Sequence, residues 1–268
     1  MTPLSPRLHT LFATTRMICF GRFVIEIPAT AMLVFGPAEV GPPISYLPGK
    51  GGEIAQFVAE DLIAVETSRE VMDEGDFARL PLFGKVMDGI VPGQKIVFDS
   101  KDGVGYYVNS YLPVGKDLFV QHFGSVMHED YDVEDFNVVA RHLRLRGDNE
   151  IPGEPGTCID GGFLPLPFEY ERVTLGVRLN EFPDVHLSIE VHKNRDRLSE
   201  SGALELMLKE GEEMAIQAGH GGAYARIKTF RRGPRQLGAW KGFEMVARKP
   251  VRIPRQSGHQ FHANVATD

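Results

Sequence analysis

The chain has 268 residues, 43% of them apolar and 24% charged, a balance that suits a folded, water-soluble protein with a sizeable core. A formal net charge of −7 without any Lys/Arg run excludes a nucleic-acid footprint. No apolar run approaches the roughly 20 residues that span a bilayer, so no stable membrane span is expected.

Length argues for two domains of ordinary size. Residues 1–16 read as an N-terminal tail. Arg7, His9 and Arg16 interrupt its apolar part, and it lacks a small-residue cleavage site. The chain is therefore cytoplasmic, or an export signal was removed or lies further upstream. "CFGRFVIEIP" (Cys19 to Pro28) then alternates, with Phe23, Ile25 and Ile27 on one face, and predicts a half-buried strand. "AMLVFGPAEV" continues it, and the link "GPPISYLPGKGG" leads into a helix over Glu53 to Met72. Ile54, Val58, Leu62 and Val65 recur there at helical spacing. "QKIVFDS", "VGYYVNSY" and "DLFVQHFG" follow, joined by short turns at Lys101-Asp102-Gly103 and Pro113-Val114-Gly115, and predict an antiparallel meander. A second helix is capped by Asp132, carries Phe136, Val139, Ala140 and Leu143 as its apolar stripe, and ends in basic residues and a glycine.

"DNEIPGEPG" reads as a linker, and the second half starts over at "CIDGGFLPLP" (Cys158 to Pro167). Two alternating strands follow, one through Val173, Leu175, Val177 and Leu179, the other through Val185, Leu187, Ile189 and Val191. A helix is expected over Ser201 to Gln217. "AYARIKTFR", "AWKGFEMVAR" and "HQFHANVAT" close the half as strands, with Gly233-Pro234 turning the first pair. The expected fold class is thus α+β, two similar domains over 17–150 and 151–268. Each is an antiparallel sheet with one or two helices, and the second lacks its final helix.

No reactive constellation emerges. "PGKGGE" (Pro48 to Glu53) opens a helix but fits neither phosphate signature, so a plain turn is the better reading. "GHGGA" (Gly219 to Ala223) is glycine-rich like an esterase oxyanion loop, yet no Gly-x-Ser-x-Gly elbow accompanies it, and Ser125 in "FGSVM" lacks the second glycine. His259 and His262 fall on opposite faces of a strand, while His186 and His192 share a face but stand some 20 Å apart at about 3.3 Å per residue. The acids of "HEDYDVEDF" (His128 to Phe136) suit the helix start that follows. "HKNRDR" (His192 to Arg197) reads as a polar loop. Neither catalytic residues nor a metal or cofactor site is expected.

At "CFGRFVIEIP", "GTCIDGGFLPLP" and "FPDVHLSIEVHKN" the sequence resembles the bacterial type VI secretion immunity proteins that neutralise phospholipase effectors. The likeness runs from about Met17 to the end. It implies a non-enzymatic protein with two domains set like a claw around a cleft. Such a protein binds a lipase toxin in the periplasm and holds it closed, as in bacterial competition. It supplies no catalytic motif and no residue-by-residue map of partner contacts. Cys19 and Cys158 then stand as either a disulfide stapling the two domains or two separate buried thiols. The alternatives are a cell-envelope small-molecule or lipid-binding protein and a domain of a cell-surface assembly.

Overall fold

The computed structural model describes residues 6–128, 133–168, 170–182, 186–193, 209, 212–214, 216–219, 228–237 and 240–248. The chain forms two compact units, Met1–Asn194 and Arg195–Asp268. The fold is α+β, and its strand pairs are antiparallel.

The first unit opens with a short helix α1 (Pro6–Leu11) and a hairpin, β1 (Thr15–Phe20) and β2 (Phe23–Pro28). "CFGRFVIEIP" is therefore two strands rather than one. The chain reverses at Gly21-Arg22, with Phe20 opposite Phe23, and Gly21 takes the positive φ of 54° that such a reversal needs. Next come β3 (Met32–Val40), β4 (Pro43–Leu47) and, after a 3-10 turn, α2 (Ile54–Arg69). A short helix α3 (Glu74–Arg79) begins at an Asp73–Asp76 capping box. Strands β5 (Val86–Asp88), β6 (Lys95–Asp99), β7 (Tyr106–Val114) and β8 (Asp117–Val126) make the expected meander. Helix α4 (Val133–His142) leads to β9 (Arg144–Leu145) and to a second tight hairpin, β10 (Thr157–Ile159) and β11 (Gly162–Leu164). The unit ends in β12 (Glu171–Arg178) and β13 (His186–Lys193).

One eight-stranded sheet, ordered β13-β12-β3-β4-β8-β7-β6-β5, organises this unit. It crosses the expected boundary at 150, because β12 pairs along β3 from Glu171↔Val40 to Arg178↔Met32. The presumed linker is a pinned loop instead. Arg144 pairs with Glu150 and Glu154, and the buried Arg146 donates to the carbonyls of Gly147 and Ile159.

Helix α2 lies on one face of the sheet. Its inner stripe places Ile54, Phe57 and Val58 against Leu47, Val97, Tyr111, Leu118 and Val120. The opposite face carries the main core, where Ile44, Leu112, Phe119, Val173 and Leu175 meet Ile18, Phe20 and Ile27 of the first hairpin and Val139, Ala140 and Leu143 of α4. Phe136 reaches a neighbouring cluster with Phe98, Tyr106 and Val65. Each fully buried Phe or Leu contributes about 1.5–3 kcal/mol relative to exposure. Between the two clusters Gln94 donates through Nε2 to Ser110 Oγ (3.1 Å) and Asn137 Oδ1 (3.3 Å), fixing α4 to β7.

Cys19 and Cys158 are joined in a disulfide 139 residues apart. Both lie within the first compact unit, where the bond ties the first hairpin to the second. Gly21 and Cys158 also exchange both backbone hydrogen bonds at 2.8 Å. Arg22, at the same turn, pairs with the buried Glu171 of β12, its Nε 2.6 Å from Oε2. Gly161 turns the second hairpin at φ 61°, and a Cβ there would fall 2.3 Å from the Tyr46 ring.

The second unit is described over an antiparallel hairpin, β14 (Lys228–Leu237) and β15 (Trp240–Arg248), and helical turns at 212–214 and 216–217. Gly233 and Pro234 do not turn the chain as expected. They stand inside β14, opposite Glu244 and Phe243, in a ladder that runs on to Leu237↔Trp240. Pro234 is tolerated in this two-stranded ribbon, where a missing N–H need not break a ladder. The expected third strand lies outside the described residues.

Candidate functional site

The face of the sheet that carries α2 is only partly covered by it. Beside the helix a cavity of about 300 Å³ opens over β6, β7 and β8, lined by Asp61, Asp99, Tyr107, Asn109, His122 and their neighbours. Strand alternation explains the set: Val97 and Asp99, and Tyr107 and Asn109, each lie two residues apart and share this face. Asn109 and His122 are direct cross-strand partners. Asp61 comes from above, on the same stripe of α2 as Ile54, Val58 and Val65.

A chain of hydrogen bonds connects these groups. Asp61 Oδ2 accepts from Tyr111 Oη (2.7 Å) and from Asn109 Nδ2 (2.8 Å). Asn109 Oδ1 lies 2.8 Å from His122 Nδ1, which places the ring proton on Nδ1 and leaves Nε2 facing Ser45 Oγ at 3.4 Å. Loss of solvent lowers the His122 pKa, against a smaller upward pull from the Asp61 charge. Burial, then the hydrogen bond to Asp61, push the Tyr111 phenol far up, so its hydroxyl stays a donor to that carboxylate.

This row of serine, histidine and asparagine has the residue types of an acyl-transfer relay but not its geometry. Ser45 sits within β4, in ladder register with Val120, whereas a nucleophile needs a strained turn that presents its oxygen beside free N–H donors. The 3.4 Å separation is also long for an O–H to N bond. What the groove does offer is hydrogen-bond acceptors, an aromatic wall and two carboxylates beside one lysine, Lys101, the equipment for holding a donor-rich or cationic group.

A second depression of about 370 Å³ shares Pro43 with the first and is lined by Phe35, Ile44, Tyr46, Ile159 and Asp160. Burial pushes the Asp160 carboxyl up, while the nearby Arg146 charge pulls it down less strongly.

The residues singled out in the sequence take other roles. The start of "PGKGGE" is filled from within the chain, since Gly49 N donates to Asp117 Oδ1 (2.6 Å) and Gly51 N to the Lys116 carbonyl (2.8 Å). An anion has no place there. Ser125 occupies a positive φ of 54° in the irregular end of β8. His186 and His192 stand near opposite ends of β13. Residues 129–132, 194–200, 220–223, His259 and His262 lie outside the described residues. Asp61, Asn109 and His122 went unremarked, although an acid within the apolar stripe of α2 was visible at Asp61.

Residues 150–268 match the family described as the Tle cognate immunity protein 4 C-terminal domain. A comparison with curated proteins finds no match. Among solved structures the chain is similar to one in the crystal structure of the Tle4-Tli4 complex, with 24% identity, 90% of this chain and 77% of that one covered, and a TM-score of 0.63. It is also similar to the immunity protein TplEi of the T6SS from Pseudomonas aeruginosa. That protein complexed with "L" peptide gives 23% identity, coverage of 89% and 76%, and a TM-score of 0.58. Its apo structure gives 23% identity, coverage of 89% and 77%, and a TM-score of 0.59. At these identities the likeness establishes the fold.

Proposed function

We propose that this chain, which carries the Tle cognate immunity protein 4 C-terminal domain over residues 150–268, is an immunity protein that binds and neutralises a type VI secreted phospholipase. The family match carries the reading. The fold shared with the Tle4-Tli4 complex structure supports it. So does the site chemistry, which suits binding and is laid out on a ladder strand unfit for nucleophilic attack. No catalytic step is assigned to the protein.

Inhibition acts on shape. A lipase must expose apolar surface to meet lipid, so a partner that binds its closed form better shifts it to that form without touching the nucleophile. A stable complex of this kind buries on the order of 1,600 Å². The claw-like grip of two domains, 17–150 and 151–268, belongs to this proposal, and the C-terminal family match over 150–268 supports that division. So does residence in the periplasm, the compartment in which the Cys19–Cys158 bond persists.

The test is to express the chain with a secreted lipase encoded beside it. We expect copurification and loss of phospholipase activity at one equivalent. No complex at micromolar concentration, or a complex that hydrolyses phospholipid at the free enzyme's rate, overturns the reading.

A further inference from the structure

We propose that the groove beside α2 is the receptor for an arginine side chain of the lipase effector, with Asp61 as its counter-ion. The inference rests on the effector-binding reading and adds the place and chemistry of one anchor.

The Asp61 carboxylate is drawn partly out of water by its place on the inner stripe of α2. Both its hydrogen-bond donors, Tyr111 and Asn109, are neutral, and both reach the same oxygen, Oδ2. Oδ1 accepts no hydrogen bond among the described residues, and no Lys or Arg among them pairs with Asp61. Carboxylates drawn out of water are normally matched by a cation, so this half-buried one is set up for a charge that the described residues do not supply. The remaining groups of the groove sharpen the point. Asp99 adds a second carboxylate to the lining. His122 has a lowered pKa and contributes no compensating charge. Lys101 is held over the Tyr107 ring, its Nζ 4.9 Å from the centroid.

The shape selects among cations. The wall is a strand surface whose Tyr107 ring already carries Lys101, which an incoming guanidinium would displace, and the open side of Asp61 is one carboxylate edge. A guanidinium stacks on such a ring and bonds a carboxylate through a planar fork, which a tetrahedral ammonium does not. A protein partner fits better than a free metabolite, because the groove holds two carboxylates and lies on a chain of net charge −7. A basic patch on the effector complements both.

Two measurements on the full chain test this. In the first, Asp61→Asn keeps the side chain's size and an acceptor for Tyr111 while removing the charge. We expect about 10- to 100-fold weaker binding to the lipase, chiefly through faster dissociation, with an unchanged melting temperature. Lys101→Ala should bind as tightly as the parent or more so. Equal affinity of the Asp61→Asn variant and the parent overturns the receptor and leaves effector binding standing. A parent chain that does not bind the lipase overturns both. In the second, ethylguanidinium is titrated without the lipase and followed by amide NMR. Shifts at Tyr107, Asn109 and His122, absent in Asp61→Asn and smaller with ethylammonium, are expected. No shift at these residues, or equal shifts with the two cations, overturns the receptor.

Discussion

The two layers on opposite faces of the large sheet of the first unit are built on opposite plans. On one, the hairpins around Cys19 and Cys158 close every feature of "CFGR" upon the chain itself: the thiol on Cys158, the Gly21 backbone on the same residue, Arg22 on Glu171. On the other, beside α2, Asp61 has neutral donors and no cation among the described residues. The lesson concerns how to read a family's most specific motif. Here that motif marks the scaffold, while the face with unspent binding capacity carries no motif at all.

Breaking the first layer should have the largest effect. Replacing both cysteines by serine releases a cross-link between residues 139 apart, worth about 5 kcal/mol in the chain-entropy account. Urea unfolding with and without reductant measures it, and reductant should leave the double variant unchanged. Next comes Glu171→Gln, which leaves the solvent-reaching Arg22 facing a neutral amide and removes a charge-assisted hydrogen bond. The loss is about 1–2 kcal/mol, read from the shift in denaturation midpoint.

The same pair has a pH signature. Burial pushes the Glu171 carboxyl up, but the hydrogen bonds and charge of Arg22 and the Phe168 N–H outweigh it, and its pKa lies below the ordinary value. The unfolded chain therefore takes up the proton first as pH falls. The contribution is fully present above the unfolded carboxyl's pKa of about 4.3 and disappears as pH drops through the folded value. Acid titration of stability should show this limb in the parent and lose it in Glu171→Gln. The smallest effect sharpens the contrast from the other side: Asp61→Asn should change stability by less than about 1 kcal/mol, because no folded-state ion pair is lost. Equal destabilisation by Asp61→Asn and Glu171→Gln would erase the distinction between the two faces.

The parts of this fold visible in the sequence are those with local signals. The stripe from Ile54 to Val65 and the short turns between β6, β7 and β8 depend on neighbours a few residues away, and both appear where expected. Two turns went astray for identifiable reasons. Alternation carries straight through Gly21-Arg22, hiding a reversal, while Gly233-Pro234 has turn-forming residues and yet lies in a strand. The β3–β12 ladder joins segments more than 130 residues apart and leaves no local trace, so the continuation of the sheet past 150 was not visible in the sequence. The groove is half legible. Asp61 is an acid in an apolar stripe, but its meeting with Asn109 and His122 depends on how α2 sits across β7 and β8.

The long reach of that ladder also governs how the molecule is born. Strand β3 finds its neighbour β12 only after more than 130 further residues have emerged. Until then it presents a row of unsatisfied amides, an invitation to wrong partners. A fragment ending ahead of Glu171 is thus expected to precipitate rather than fold, and a nascent chain to gain from being held extended until its late strands arrive.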